Sequence, residues 1–255
     1  MKKLLIIALA IAALAPVAWY FSKHKTTISK NPLELDTLIV GTSSDYPPFS
    51  FLKDNEYTGF EIDVANEVAS RLGKTIIFKD MPFTTLIPEL QNGTIHMIAA
   101  GMTPSPERAK RIAFTRPHFT GDPLVIVTRS QNKITSLEDL RGKEVVVNEG
   151  YTADNYMTEW GGSLLSRLTS PADALLALKS GRAYAYVDAQ AAVLPFFQQY
   201  GHENFTMTLI PETGSETALG ISLKQPEFKA RVQEILDTMQ ADGTLDKLKK
   251  KWNLI

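Results

Sequence analysis

AAGMTPSPERAKRIAFT, residues 99–115, begins as an apolar strand and turns within a few residues into a helix. Ser105 followed by Pro106 reads as the helix start: the serine hydroxyl can accept from a free backbone N–H, and proline at the first helical position has no N–H to satisfy. That start puts Arg108 in the first turn, where exposed N–H groups already carry partial positive charge and a further cation is unfavourable. Arg108 therefore needs an anion, either a neighbouring carboxylate or a ligand. A strand that ends in such a loop fits an open α/β sheet, whose ligands bind beyond the carboxyl ends of the strands.

Read outward from that stretch, the chain alternates short β-rich runs with helical patterns, as α/β proteins do. Residues 37–42 (TLIVGT), 74–81 (KTIIFKDM) and 95–102 (IHMIAAGM) read as strands. Between them, 63–73 (DVANEVASRLG) has helical spacing at Val64, Val68 and Leu72 and stops at Gly73, and 83–93 (FTTLIPELQNG) stops at Gly93. A second set follows, with strands at 123–129, 143–150 and 183–189 and helices at 136–142, 152–161 and 170–181, the first of them capped by Ser136. The tail, 227–252, reads as two helices broken at Asp242-Gly243. Two sets imply two α/β units with largely parallel sheets, crossed near residues 119–125 and 218–222.

Composition limits what such a pair of units can do. At 255 residues and 44% hydrophobic, the chain can bury one large core or two modest ones without metals or disulfides. It has no cysteine, which excludes a disulfide framework, a thiolate metal site, a Cys nucleophile and a lipid-modified N-terminal cysteine. Of 27 Lys and Arg against 28 Asp and Glu, four lysines fall in the first 25 residues, which hold no acid, so the remainder carries 23 basic against 28 acidic side chains, or −5. No concentrated basic surface is available for nucleic acid. None of His24, His96, His118 and His202 belongs to an H-E-x-x-H motif, and there is no G-x-S-x-G elbow, P-loop or dinucleotide fingerprint. Neither a metal nor a cofactor is expected, and His118, near the first crossing, reads as a structural hydrogen-bonding group.

Residues 1–25 (MKKLLIIALAIAALAPVAWYFSKHK) read as an export signal, with two lysines ahead of an apolar run over residues 4–21. Cleavage after Ala18 and retention as a signal anchor both stay open, because the 18-residue run approaches the ~20 residues that span a bilayer. Residues 26–36 read as a linker or a new terminus.

Four loops follow strands and fall together in such a fold: GTSSDYPPF (41–49), AAGMTPSPER (99–108), NEGYT (148–152) and VDAQ (187–190). With VGTSSDYPPFSF, GFEIDVANEVASRLG, AAGMTPSPERAKRIAFT, SLEDLRGKEVVVNEGYT and ADGTLDKLKKKW in register, the chain from about residue 38 to 254 resembles a periplasmic solute-binding protein of the polar amino-acid uptake family, which feeds ATP-driven (ABC) importers. The resemblance implies an α/β, two-lobed periplasmic binding protein fold, with two crossover hinge strands and a ligand cleft between the lobes. Residues 37–121 and 221–255 are then lobe one and residues 122–220 lobe two.

The resemblance also implies roles. Arg108 aligns with the arginine that grips the ligand α-carboxylate, a fork suited to bidentate pairing. Ala100, Gly101 and Thr103 surround the same end. Ala100 stands where some members carry a hydroxyl, and Thr103 taken alone is equally a turn residue. Asp188 aligns with the carboxylate that pairs with the ligand α-ammonium. Tyr46 and Phe83 flank the ligand side chain and would sandwich a flat guanidinium. In the second-lobe loop, which Asn148 opens, Tyr151 stands where threonine is common, while Thr152 keeps its hydroxyl. Binders of basic amino acids often carry an acid where this chain has Ser43. Asp45 and Glu149 lie nearby, either as specificity carboxylates or as surface groups. Arginine is the first ligand expected and other polar amino acids follow. The partners implied are that free amino acid and the permease of an ABC importer, with the receptor itself a monomer. A dehydratase on the same fold and a membrane-anchored sensor domain are the alternatives.

Overall fold

The computed structural model describes residues 31–201 and 203–255; the segment read as an export signal lies outside them, as does His202. No helix among the described residues is long and apolar enough to cross a membrane. Two five-stranded sheets organise two lobes. The first has the order Thr75–Asp80, Thr37–Thr42, Met97–Ile98, Gly220–Ile221, Ala113–Phe114, and the second Leu164–Leu168, Glu144–Asn148, Ala185–Ala189, Leu124–Arg129, Phe205–Leu209.

Neither sheet is as uniformly parallel as the sequence suggests. Thr37–Thr42 is parallel to Thr75–Asp80 and to Met97–Ile98, but Gly220–Ile221 is antiparallel to both its neighbours. Leu124–Arg129 likewise runs against Ala185–Ala189 and Phe205–Leu209. The reason lies in the crossings. Strands of the βαβ units point their carboxyl ends at the cleft, whereas a strand arriving from the other lobe starts at the cleft and must run away from it. The crossings themselves pair as an antiparallel ribbon, Phe119–Asp122 against Ser215–Thr217. The return thus lies upstream of the 218–222 expected from sequence, where the chain has already joined the first sheet.

Local sequence explains most elements. Phe60–Arg71 buries Ile62, Val64, Ala65, Val68 and Ala69 on one stripe against the first sheet, and left-handed Gly93, Gly161 and Gly181 close the helices Phe83–Asn92, Thr152–Trp160 and Pro171–Ser180. Leu137–Leu140 is a 3-10 turn held by a capping box between Ser136 and Asp139. Gln190–Tyr200 goes unread in the sequence because Pro195 interrupts its pattern; it forms because Val193, Phe196 and Phe197 pack on Val127, Tyr186 and Phe205. On the opposite face of the second sheet Ile126, Val145, Val147 and Val187 pack with Ala153 and Met157, so that sheet is buried on both sides. The terminal helices Pro226–Ala241 and Thr244–Lys251 pack on Phe60–Arg71, where Trp252 Nε1 donates to Asp63 Oδ2 at 2.6 Å.

Behind the ribbon, His118 Nε2 meets Glu61 Oε1 at 2.5 Å, with Glu61 fully buried and the His118 backbone N–H donating to Thr217 O at 3.0 Å. This contact ties the helix Phe60–Arg71 to the crossing. Truncation of Glu61 leaves the buried His118 Nε2 with only Thr217 Oγ1 at 3.4 Å, so Glu61→Ala is expected to destabilise the fold by ~1–3 kcal/mol in urea denaturation. Glu138→Ala, which removes an exposed pair with Arg141, should leave the midpoint near wild type. Equal effects of the two would show that the Glu61–His118 contact contributes nothing.

Candidate ligand-binding site

The loop after Met97–Ile98 builds one wall. Gly101 takes φ +63°, and a Cβ there would lie 3.2 Å from the Tyr46 ring, so only glycine lets the loop approach so closely. Ser105 Oγ accepts the Arg108 backbone N–H at 3.2 Å and Pro106 opens the short helix Pro106–Ala109, as the sequence predicts. Arg108 points into the cleft, 8% exposed. Its Nη1 donates to Thr103 O at 2.6 Å, its Nη2 donates to Gly150 O of the facing lobe at 2.6 Å, and its guanidinium lies 5.3 Å from the centre of the Phe83 ring. Burial pulls its pKa down to about 10, opposed by nearby Glu107, so it remains a cation at neutral pH. Its two hydrogen-bond acceptors are dipoles and neither is an anion.

Asp188 ends the strand Ala185–Ala189 in the other lobe, 3% exposed. Its Oδ1 accepts from Ala189 N–H at 2.8 Å and from the Tyr46 hydroxyl at 3.2 Å, a bond that crosses the cleft. Its Oδ2 meets the Tyr186 hydroxyl, which also donates to Asn148 Oδ1 at 2.7 Å. One hydroxyl proton cannot serve both acceptors. The Tyr186 proton is therefore divided between Asn148 and Asp188. Burial raises Asp188 to about 6, opposed first by the hydrogen bond from Tyr186 and then by those from Ala189 and Tyr46.

Arg108 and Asp188 line one small cavity together with Tyr46, Phe49, Phe83, Gly101, Thr103, Tyr151 and Thr152. Five residues read from the sequence lie off it. Ala100 is buried in the core of the first lobe with Leu86 and Ile98, and Asn148 holds Tyr186 and Leu168 from behind. Ser43 donates to Asp45 at 2.9 Å, and Asp45 faces the outer grooves beside Pro47 and Ser170. Glu149 is exposed. A roomier groove of ≈ 290 Å³, between Pro171, Leu176 and Tyr200, includes neither charged residue of the cleft.

The sequence reading misses Asp122, Ser215 and Thr217, which line the back of the cavity. All three belong to the crossing ribbon, where Ser215 pairs with Asp122. Asp122 Oδ1 accepts the Ala191 N–H at 2.9 Å, and burial, with Asp188 close by, raises its pKa to about 7. The cavity thus offers one cation on one wall and two buried carboxyls on the other. Among the described residues neither Arg108, Asp122 nor Asp188 has an opposite charge in ion-pair contact. Such a site suits a small zwitterion or cation that brings its own counter-charges.

Comparison with known proteins agrees with this chemistry. The family model for bacterial extracellular solute-binding proteins, family 3, matches residues 38–255. A probable amino-acid ABC transporter-binding protein of Haemophilus influenzae is 29% identical over 99% of this chain and 97% of its own length. Among solved structures, an ancestral arginine-binding protein bound to arginine superposes with a TM-score of 0.81 at 34% identity, over 86% of this chain and 98% of that one. The ancestral amino acid-binding protein AncCDT-1, a precursor of cyclohexadienyl dehydratase, follows with a TM-score of 0.78 at 33% identity, over 85% and 95%. With the match running from the first strand to the last helix, and with two α/β lobes enclosing a charged cleft, the chain belongs to the bacterial extracellular solute-binding proteins of family 3.

Proposed function

We propose that this family member captures a free amino acid end to end in the cleft, with Arg108 on the α-carboxylate and Asp188 on the α-ammonium. The observation that carries the proposal is that two buried, oppositely charged groups from different lobes line one cavity without pairing with each other. A ligand that bridges them satisfies both ends only when the lobes are together, and this differential affinity drives closure. The boundaries 37–121 and 221–255 against 122–220 would shift slightly, because Gly220 already pairs in the first sheet: residues 37–118 and 218–255 would move as one lobe and 123–214 as the other, parting about the ribbon at 119–122 and 215–217. Arginine is the ligand favoured first, because the arginine-bound ancestor matches over nearly its whole length and because Tyr46 and Phe83 are aromatic faces suited to a guanidinium. The receptor would work as a periplasmic monomer, free or tethered by residues 1–25, and hand its ligand to the permease of an ABC importer.

Isothermal titration of protein freed of carried-over ligand by unfolding and refolding, against the twenty amino acids, tests the reading. Saturable one-to-one binding of an intact amino acid is expected, and folded protein that binds none contradicts it. Arg108→Ala and Asp188→Ala should each weaken binding by roughly 100-fold or more while leaving the circular dichroism spectrum unchanged, since each removes one partner of a desolvated charge pair.

The pH dependence has a defined sign. An ammonium pairs with ionised Asp188, but burial keeps the ligand-free carboxyl protonated below about 6. A bound ammonium would lower that pKa, so binding expels a proton at acid pH. Affinity should fall by up to about tenfold per unit as pH drops below about 6 and should level off toward pH 8. Affinity that is flat from pH 5 to 8 would remove Asp188 from the ammonium's side.

A further inference from the structure

The aromatic slot of the cleft is filled by the chain itself. Tyr151 lies 4.6 Å from Phe83, tilted at 52°, and 5.3 Å from Tyr46, edge-on at 87°. Both are favourable aromatic geometries, and the ring is only 5% exposed. It therefore stands between the two rings that a flat ligand side chain would need. The cavity left beside it is ≈ 20 Å³, room for about one water. We infer that Tyr151 is the specificity-determining residue of the cleft, an internal competitor that holds the slot between Tyr46 and Phe83 and that a long ligand side chain must displace. This inference rests on the receptor reading above and sharpens it.

Three features make the ring a displaceable occupant rather than a fixed wall. Its hydroxyl is buried with no partner at full hydrogen-bond geometry and only Ser43 near enough to act on it, so leaving the slot restores hydration to a polar atom that burial leaves poorly satisfied. Its anchor is the turn at Gly150, which takes φ +74° and where a Cβ would lie 3.3 Å from Thr84 Cγ2, so the backbone is held while the side chain is held mainly by ring packing, with Ser43 its one nearby polar group. The same turn presents Gly150 O to Arg108. The guanidinium that would take the carboxylate and the slot that would take the side chain are thus both occupied by one loop, residues 150–151. An amino acid with a short side chain has to displace only the carbonyl, whereas arginine has to displace the ring as well.

The test compares wild type, Tyr151→Thr and Tyr151→Phe by titration with arginine and with alanine. Tyr151 holds the N-cap position of Thr152–Trp160 without a side-chain cap, and threonine is a good cap, so Tyr151→Thr should fold. If the slot is open in about a tenth of ligand-free molecules, Tyr151→Thr should tighten arginine binding on the order of tenfold, with alanine affinity unchanged. Tyr151→Phe keeps the ring and should show no gain for arginine. In ligand-free wild type, nuclear Overhauser contacts between the Tyr151 and Phe83 rings should be present, and arginine but not alanine should abolish them. Weaker arginine binding in Tyr151→Thr would make the ring a wall of the bound site and overturn the inference, as would an equal gain for alanine or the absence of the ring contacts. Any of those three failures leaves the receptor reading intact. If the contacts are present but neither amino acid binds any of the three proteins, the receptor reading itself fails and the selectivity assigned to Tyr151 fails with it.

Discussion

Two charges buried on facing walls without opposite charges of their own set the terms for the rest of this molecule. A desolvated guanidinium and a desolvated carboxyl each cost free energy that neutral hydrogen bonds only partly offset. The protein handles that cost by making every partner provisional. Arg108 rests on two carbonyl oxygens, one of them from the other lobe, and Asp188 shares a network with Tyr46, Tyr186 and Ala189. None of these partners carries the neutralising charge, so a zwitterion that reaches both sites improves on all of them at once. The need to hold two such groups apart explains why the fold requires two sheets with their strand ends facing one cleft and only a narrow ribbon between them.

The crossing ribbon does more than connect. It brings Asp122 and Ser215 to the back of the cavity, where burial and nearby Asp188 raise the cost of ionising Asp122. The cleft is therefore poised to exchange protons for an ammonium. Under the two-ended grip, ligand capture below about pH 6 would include loss of the Asp188 proton. The buried Glu61–His118 contact lies just behind the ribbon and ties the helix Phe60–Arg71 to the crossing.

What the sequence made legible follows from how local the cause is. Ser105-Pro106 announces a helix start, and Arg108 in its first turn announces an anion, because both statements depend on five consecutive residues. Gly93, Gly161 and Gly181 mark helix ends for the same reason. The strand directions were misread because the crossings reverse polarity, a property of chain topology rather than of any pattern within a strand. Asp122, between Gly121 and Pro123, carries no local signal of a site, and it reaches the cavity through the ribbon in which it pairs with Ser215. Ala100 and Asn148, expected at the site, lie behind it, Ala100 packed in the first-lobe core and Asn148 turned toward Tyr186 at its strand end, placements that a motif cannot decide. Tyr151 was visible as a departure from a common threonine; that its ring turns inward between Tyr46 and Phe83 depends on how the two lobes meet.

The central claim is the two-ended grip, and the measurement that bears on it most directly is a titration series of arginine, agmatine and Nα-acetylarginine against wild-type protein. The three share one guanidinium side chain. Agmatine lacks the carboxylate that Arg108 would hold, and acetylarginine lacks the ammonium that Asp188 would hold. The account predicts saturable binding of arginine and a loss of roughly 100-fold or more for each analogue. Agmatine that binds as tightly as arginine would contradict it, because recognition would then reside in the side chain and Arg108 would be buried for some other reason.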